Sequence, residues 1–224
     1  MVSVIVCTIR QNFLDNVFQN YESQTWPDKE LIIILNKDDM DINIWRDKAR
    51  NYQNVSVYQL PETSTLGECL NFGVEKSKYD YIAKFDDDDY YSPFYLSKSM
   101  EIFHDPDVSL TGKNFFYVYF ENEKLLVEHK RHPRVSGGTI IFKKDIFKKV
   151  KFPERNKGED AIFVRNCIEN GFKFCPADKF NYVCIRKNNL DHHTWKITQE
   201  TLMKKKKSKI IAYTDDFKQF VQQN

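Results

Sequence analysis

Five consecutive apolar residues at positions 31–35, Leu-Ile-Ile-Ile-Leu, place the strongest constraint on the fold of this chain. An unbroken apolar run of this length indicates a strand that is covered on both faces. Such strands belong to parallel sheets whose helical connections pack on either side. The segment therefore predicts an α/β domain.

The rest of the first hundred residues repeats this arrangement of strands and helices. Thr65, with Glu68 three residues later, forms a capping box that opens a helix. Further strands are predicted at 2–7, 55–60 and 81–85, and helices after the first strand and at 41–52. The β-α-β-α-β-α-β order predicts a doubly wound, mostly parallel sheet, which binds ligands at the carboxyl ends of its strands.

The second half of the chain is less regular and is predicted to be antiparallel. The expected elements are helices at 93–103, 145–150 and 159–170, a hairpin of 115–120 with 125–130, a strand at 138–142 and a terminal helix at 198–220. We expect one domain over 1–195, with halves at 1–100 and 101–195. Residues 196–224 are predicted to be a helical appendage.

Charge and cysteine content exclude several classes of protein. The 34 basic and 32 acidic side chains give a net charge of +2, which argues against nucleic acid as a partner. No apolar run reaches the length of a membrane span, and the N-terminal segment is typical of a first strand rather than a secretory signal. Five cysteines, with no C-x-x-C pair, favour a reduced, cytoplasmic protein.

Four carboxylates, Asp86-Asp87-Asp88-Asp89, follow directly after the predicted strand at 81–85. We call residues 86–89 the acidic run. Mutual repulsion disfavours packing these side chains together without a counter-cation. Mg²⁺ or Mn²⁺, held in part by phosphate oxygens, would supply that charge. The alternative is a solvated acidic turn, but the position at a strand's carboxyl end favours a metal site.

Five short motifs, in this order over about residues 1–195, resemble those of family 2 glycosyltransferases with the GT-A fold. The resemblance implies that fold, a nucleotide-sugar donor, a nucleotide-binding half (1–100) and an acceptor-side half (101–195). The motifs are the strand and polar turn ending at Thr8, Asn71-Phe72-Gly73, the acidic run followed by Tyr90-Tyr91-Ser92-Pro93, Gly137-Gly138 and Gly158-Glu159-Asp160. Residues 31–41 and 192–195 are also similar to glycosyltransferase-like proteins of spore-forming bacilli, which would place the protein in the mother-cell cytoplasm or at the spore surface.

The resemblance implies roles for the acidic run. Asp88 would bind the cation through the donor's diphosphate, and Asp86 would lie near the ribose or the metal. Asp89 would support the site from behind, and Asp87 would face outward. Thr8 would lie beside the nucleoside.

The resemblance also implies the remaining site residues. Asn71 would belong to the donor site, and Glu159, Gly137 and Gly138 would support the site. Asp160 matches the family's catalytic base; without the resemblance, Glu159 and Asp160 are ordinary first-turn acids of a helix.

A late metal-binding histidine is implied at His192 or His193. At most one of the two would ligate, because neighbouring side chains in a strand point to opposite faces. The alternative is a surface pair of histidines.

Three residues depart from the family pattern. Asn36 stands where many members have a carboxylate that contacts the nucleobase, although an amide can still bond a uracil edge. Leu70 replaces an arginine. Lys84 precedes the acidic run and would partly neutralise it. Further phosphate contacts are expected from Arg134, Lys113 and Arg186.

These features predict a metal-dependent inverting transferase that moves a sugar from a nucleotide-diphosphate donor, a UDP-sugar, to a hydroxyl of a glycan or surface acceptor. The alternatives are a surface-layer assembly module with a nucleotide pocket but little turnover, and a nucleotidyltransferase. The lysine-rich terminal helix could rest on an anionic membrane, but packing against the domain is favoured.

Overall fold

A computed structural model describes residues 1–187, 197–204 and 207–224. The described strands are β1 (Val2–Thr8), β2 (Lys29–Leu35), β3 (Val55–Gln59), β4 (Tyr81–Phe85), β5 (Tyr90–Tyr91), β6 (Val108–Gly112), β7 (Phe115–Phe120), β8 (Leu125–Lys130), β9 (Ile141–Lys143), β10 (Lys173–Pro176), β11 (Tyr182–Arg186) and β12 (Ser208–Tyr213). The α-helices are α1 (Leu14–Glu22), α2 (Ile42–Ala49), α3 (Leu66–Lys76), α4 (Tyr95–Glu101), α5 (Glu159–Glu169), α6 (Gln199–Met203) and α7 (Lys218–Val221).

The main sheet has the strand order β10-β6-β9-β4-β1-β2-β3. Strands β4, β1, β2 and β3 are parallel neighbours, and β9 runs antiparallel between β4 and β6. The predicted doubly wound, mostly parallel sheet is confirmed. Its carboxyl ends gather the residues that follow β1, β2 and β4.

Alternating side chains of β2 divide the core into two layers. Leu31, Ile33 and Leu35 pack on one face with α1 and α2, and Ile32 and Ile34 pack on the other with α3 and α5. All five are at most 1% exposed. This is why the run at 31–35 contains no polar position.

The helix starts follow the predicted local chemistry. Thr65 and Glu68 form the capping box of α3, and the side chain of Asp41 accepts the Asn43 N–H at the start of α2. Helix α5 begins after Gly158 (φ 73°), and Gly171 follows its end with φ 83°. Glycine accommodates these left-handed conformations at no steric cost.

The second sheet has the order β12-β8-β7-β11-β5. The predicted hairpin of 115–120 with 125–130 is confirmed as β7 and β8, which pair antiparallel from Phe115–Lys130 to Phe120–Leu125. Strand β11 joins β7 in parallel and carries β5 on its other side. The second sheet therefore brings Tyr182 and Val183 beside Tyr91 and Tyr90, the segment that follows the acidic run.

Three predicted elements are wrong in kind or position. The terminal segment is not one helix over 198–220. Part of it forms β12, which pairs with β8 at the edge of the second sheet, so Ile210 and Ala212 lie in a strand. Gly137–Thr139 forms a 3-10 turn, and the strand predicted at 138–142 begins only at Ile141. The helix predicted at 145–150 is a 3-10 helix over Lys144–Lys148.

Two further observations bear on the environment of the chain. Within the described ranges, the helices fall short of the length and hydrophobicity that a membrane span requires. The cysteines are free thiols.

Candidate active site

A cavity of about 640 Å³ opens at the carboxyl ends of β1, β2 and β4. The acidic run forms one wall, and the first turn of α5 forms another. The predicted residues that line it are Thr8, Asn36, Asp86, Asp88, Asp89, Gly137, Glu159 and Asp160. The fold therefore brings together residues that lie up to about 150 positions apart in the sequence.

Asp86 is paired with a buried lysine of the same strand. Lys84 Nζ lies 2.5 Å from Asp86 Oδ1, and the Lys84 side chain is 7% exposed. Burial alone would lower the pKa of Lys84, but the carboxylates of Asp86, Glu159 and Asp160 raise it. Lys84 is therefore a fixed cation between the acidic run and α5.

Asp87 does not face outward as predicted. It is 4% exposed, and its carboxylate accepts hydrogen bonds from the Thr8 hydroxyl and from the Arg10 guanidinium, with Arg10 Nε at 3.1 Å. Burial raises the pKa of Asp87, and Arg10 opposes that rise. Asp87 turns inward because Arg10, just past β1, offers its carboxylate a buried partner.

Asp88 reaches the cavity but shares the same arginine. Arg10 Nη2 lies 3.2 Å from Asp88 Oδ2, and the Asp88 side chain is 11% exposed. One guanidinium thus spans two successive carboxylates of the acidic run.

Asp89 lines the cavity but is only 1% exposed. Its carboxylate accepts hydrogen bonds from the Tyr182 hydroxyl and from the Ile185 N–H (3.0 Å), and Arg186 Nη1 is 3.6 Å away. Burial, followed by the charge of Asp88, raises the pKa of Asp89. Asp89 therefore connects the acidic run to β11 of the second sheet.

The acidic run is compensated in part by the chain's own cations. Lys84 pairs with Asp86, Arg10 with Asp87 and Asp88, and Arg186 with Asp89. Four carboxylates thus meet three basic side chains. The repulsion that predicted a metal is smaller than the sequence alone indicates.

The two cavity-facing carboxylates still fit a hard divalent cation. Asp86 is 37% and Asp88 is 11% exposed at the side chain, and carboxylate oxygens are ligands that Mg²⁺ and Mn²⁺ accept. In the part of the chain that the structure describes, no group of three or more His, Cys, Asp or Glu side chains is arranged to hold a metal. The remaining ligands would therefore come from a bound diphosphate or from outside the described residues.

Glu159 and Asp160 are the first two residues of α5, and both line the cavity. Asp160 Oδ1 accepts the Ala161 N–H at 2.6 Å, and the N-terminus of the helix favours the ionised carboxylate. Glu159 is 5% exposed, and burial raises its pKa. Asp160 is the more accessible of the two acids.

The glycine pair lets two carboxylates approach the backbone. A methyl group on Gly138 would lie 2.7 Å from Asp86 Oδ2 and from the Tyr91 hydroxyl, and one on Gly137 would collide with Asp160. Only a residue without a Cβ leaves room for both acids at this turn.

Thr8 ends β1 and Asn36 follows β2, and both line the cavity. Thr8 is 4% exposed and donates to Asp87 rather than standing open to the cavity. The Asn36 amide donates to the Pro61 carbonyl at 2.7 Å, which fixes its orientation at the cavity wall.

Asn71 is not among the cavity-lining residues. Its amide donates to the Phe152 carbonyl and accepts the Phe152 N–H, both at 2.9 Å. Gly67 N–H also donates to the Arg155 carbonyl, and Leu66 N–H to the Asn156 side chain. Asn71 thus anchors the loop that leads into α5 and does not itself line the cavity.

The remaining predicted residues fall in three places. Arg134 and Arg186 line the cavity. Lys113 is buried elsewhere, with Nζ 2.7 Å from the Asp178 carbonyl. His192 and His193 lie outside the described residues. Sequence reasoning missed Arg10. A basic side chain shortly after a predicted strand is the signal that could have indicated it as a site residue.

Comparison with known proteins agrees with this geometry. The family model described as "Glycosyl transferase family 2" matches residues 3–218. The chain belongs to that family.

Two curated relatives come from Escherichia coli. O-antigen biosynthesis glycosyltransferase WbnJ is 30% identical over 201 residues, which are 87% of this chain and 70% of the relative. UDP-Gal:alpha-D-GlcNAc-diphosphoundecaprenol beta-1,3-galactosyltransferase is 32% identical over 78 residues, 34% of this chain and 28% of the relative.

Similar solved structures include two ligand complexes. Residues 1–349 of S. aureus TarS with UDP-GlcNAc align with TM-score 0.67 at 18% identity, covering 84% of this chain and 59% of that one. The mannosyltransferase PcManGT from Pyrobaculum calidifontis, with GDP-Man and Mn²⁺, aligns with TM-score 0.67 at 16% identity, covering 87% and 59%. The chain thus spans about 60% of these structures, and the likeness establishes the GT-A fold.

Proposed function

We propose that this protein is a metal-dependent, inverting glycosyltransferase that moves a sugar from a nucleotide-diphosphate donor, a UDP-sugar, to a hydroxyl of a glycan or surface acceptor. One observation carries the proposal: Asp88 of the acidic run and Asp160 of α5 line the same cavity. A transferase needs both a diphosphate site and a base, and one cavity here holds a candidate for each.

The donor would lie along the carboxyl edge of the main sheet. Asn36, held by the Pro61 carbonyl, would bond a uracil edge, and Thr8 would shape the neighbouring wall. Arg134 and Arg186 add positive charge to the same cavity. A diphosphate group would complement that charge.

Asp88 and Asp86 would hold the cation. When bound, Mg²⁺ or Mn²⁺ would take up the negative charge that develops on the departing nucleoside diphosphate. Among the solved structures, the PcManGT complex contains Mn²⁺, which supports the choice of cation.

Asp160 would act as the base. The acceptor hydroxyl oxygen bonds to the anomeric carbon, the bond from that carbon to the diphosphate oxygen breaks, and the hydroxyl proton passes to the Asp160 carboxylate. A single displacement of this kind inverts the anomeric centre. The Ala161 N–H and the turn at Gly137 hold the carboxylate in one orientation.

The acceptor is proposed to be a growing glycan. The names of the two curated relatives refer to O-antigen biosynthesis and to a diphosphoundecaprenol-linked sugar, which supports polysaccharide assembly as the setting. The likeness to spore-surface proteins and the cytoplasmic location stay predictions.

A panel of nucleotide sugars tests the proposal. Nucleoside diphosphate release is measured with Mn²⁺, with Mg²⁺ and with EDTA, in the presence of hydroxyl acceptors. Mn²⁺-dependent release of UDP supports the transferase, and release of pyrophosphate would identify a nucleotidyltransferase instead. Nucleotide binding without turnover on any donor would favour the assembly module.

A further inference from the structure

Arg10 lies outside the five motifs that resemble those of the family. It lies two residues past the end of β1, its side chain is 13% exposed, and its guanidinium carbon lies 4.3 Å from the centre of the Phe13 ring. Its backbone N–H donates to the Thr8 hydroxyl at 3.0 Å. The arginine is thus fixed at both its backbone and its guanidinium.

The two carboxylates that meet Arg10 differ in their support. Asp87 is buried and also accepts from Thr8, and Arg10 reaches it through both Nε and Nη2. Arg10 Nη2 also contacts Asp88 Oδ2, at 3.2 Å, on the cavity side. The Asp88 contact can therefore be given up while Asp87 keeps the guanidinium in place.

A divalent cation and a guanidinium compete for the same oxygens of Asp88. Both are positively charged, so the presence of one at this carboxylate opposes the other. The competition is strongest when no diphosphate is present to neutralise the combined charge.

We propose that Arg10 is a donor-site residue that serves as the counter-ion of Asp88 in the empty site and, once a cation takes Asp88, turns its freed N–H group to the donor's diphosphate. The inference rests on the proposed cation site at Asp88. The planar guanidinium suits phosphate oxygens, and Arg10 already lines the cavity in which Asp88 and Asn36 lie. Arg10 thus weakens the binding of the cation when no nucleotide is present. It strengthens the binding of the nucleotide once the cation is in place.

The test compares Mn²⁺ binding in the wild type and in Arg10→Gln, by calorimetry and by the spin-resonance signal of free Mn²⁺. Without nucleotide, Arg10→Gln is expected to bind Mn²⁺ about tenfold more tightly, within the usual range of coupling between sites. With saturating Mn²⁺, the same variant is expected to bind UDP about tenfold more weakly. Arg10→Lys, which keeps the charge, is expected to restore weak Mn²⁺ binding.

Lys37→Gln is the matched control for charge. Lys37 lines the same cavity but pairs with Asp39, so its loss is expected to leave Mn²⁺ affinity unchanged. Mn²⁺ affinity in Arg10→Gln that equals or falls below the wild-type value would overturn the inference, as would undetectable Mn²⁺ binding in both proteins. Should Arg10→Gln fail to fold, Arg10→Ala carrying Asp87→Asn takes its place, and wild-type-like UDP affinity of that variant in Mn²⁺ would overturn the inference. Donor turnover is measured separately, so failure here is distinguishable from failure of the transferase proposal.

Discussion

Asp160 lies against Gly137 so closely that a methyl group on the glycine would stand 3.0 Å from the Asp160 carboxyl carbon and nearer still to one of its oxygens. Gly137 belongs to the turn before β9, and Asp160 belongs to α5. The backbone of one element therefore sets the position of the proposed base on another.

Gly137→Ala is expected to displace Asp160 while the fold is kept. A misplacement of about 1 Å can cost about 100-fold in rate, so we expect a loss of that order in sugar transfer with little change in UDP affinity. Gly112→Ala is the control, because its new methyl group would lie in ordinary contact with Val135. Transfer by Gly137→Ala at the rate of Gly112→Ala would contradict this account.

Asp160→Asn removes the proton acceptor but keeps the shape of the side chain. The transfer rate is expected to fall by about 10²–10⁴-fold, while the melting temperature and donor affinity stay near the wild-type values. An amide oxygen can still accept the Ala161 N–H, so the start of α5 should be preserved. Wild-type transfer by this variant would point to Glu159 or to His192 and His193 as the base.

Asp88→Ala is expected to weaken UDP binding strongly in the presence of Mn²⁺, because the cation loses a ligand and its link to the diphosphate. Calorimetry with Mn²⁺ and with EDTA measures this. Asp39→Ala, at a side chain that is 72% exposed, is the control and should bind as the wild type does. Equal wild-type affinity in EDTA and in Mn²⁺ would reject the cation site.

Lys113 gives a prediction for stability against pH. Burial lowers the pKa of Lys113 to about 8, despite the nearby Asp178. Between that value and the ordinary lysine pKa of about 10.4, the unfolded chain holds a proton that the folded chain has released. This group therefore contributes stability that rises with pH over that window, by at most about 1.4 kcal/mol per pH unit.

Denaturant unfolding of the wild type and Lys113→Met, from pH 7 to 10, isolates this contribution. Cysteines and tyrosines titrate equally in both proteins, so only the difference is informative. The free energy of unfolding of the wild type is expected to rise relative to the variant above pH 8. A difference that stays constant with pH would show that Lys113 keeps its ordinary pKa.

The parallel half of the fold could be predicted from the sequence because its signals are local. The run at 31–35, the capping box at Thr65 and the acidic run after β4 each identify an element without knowledge of its neighbours. Strand order then places their carboxyl ends together. The cavity follows from those three features.

The terminal segment could not be predicted because its partner is distant. Ile210 and Ala212 pair with Val127 and Leu126 of β8, and such tertiary pairing overrides the spacing that indicated a helix. The environment of Asp87 was missed for the same reason, since Arg10 lies 77 positions away.

The paired hydrogen bonds between Asn71 and Phe152 connect the packing of α3 to the position of the loop before α5. Helix α3 packs on the main sheet through Gly73, where a methyl group would come within 2.7 Å of Ile5, and it holds the loop before α5 through Asn71. A bulkier residue at position 73 is therefore expected to push α3 away from the sheet. Because Asn71 is bonded to that loop, the same substitution would shift the segment that leads to the proposed base, from a position that does not line the cavity.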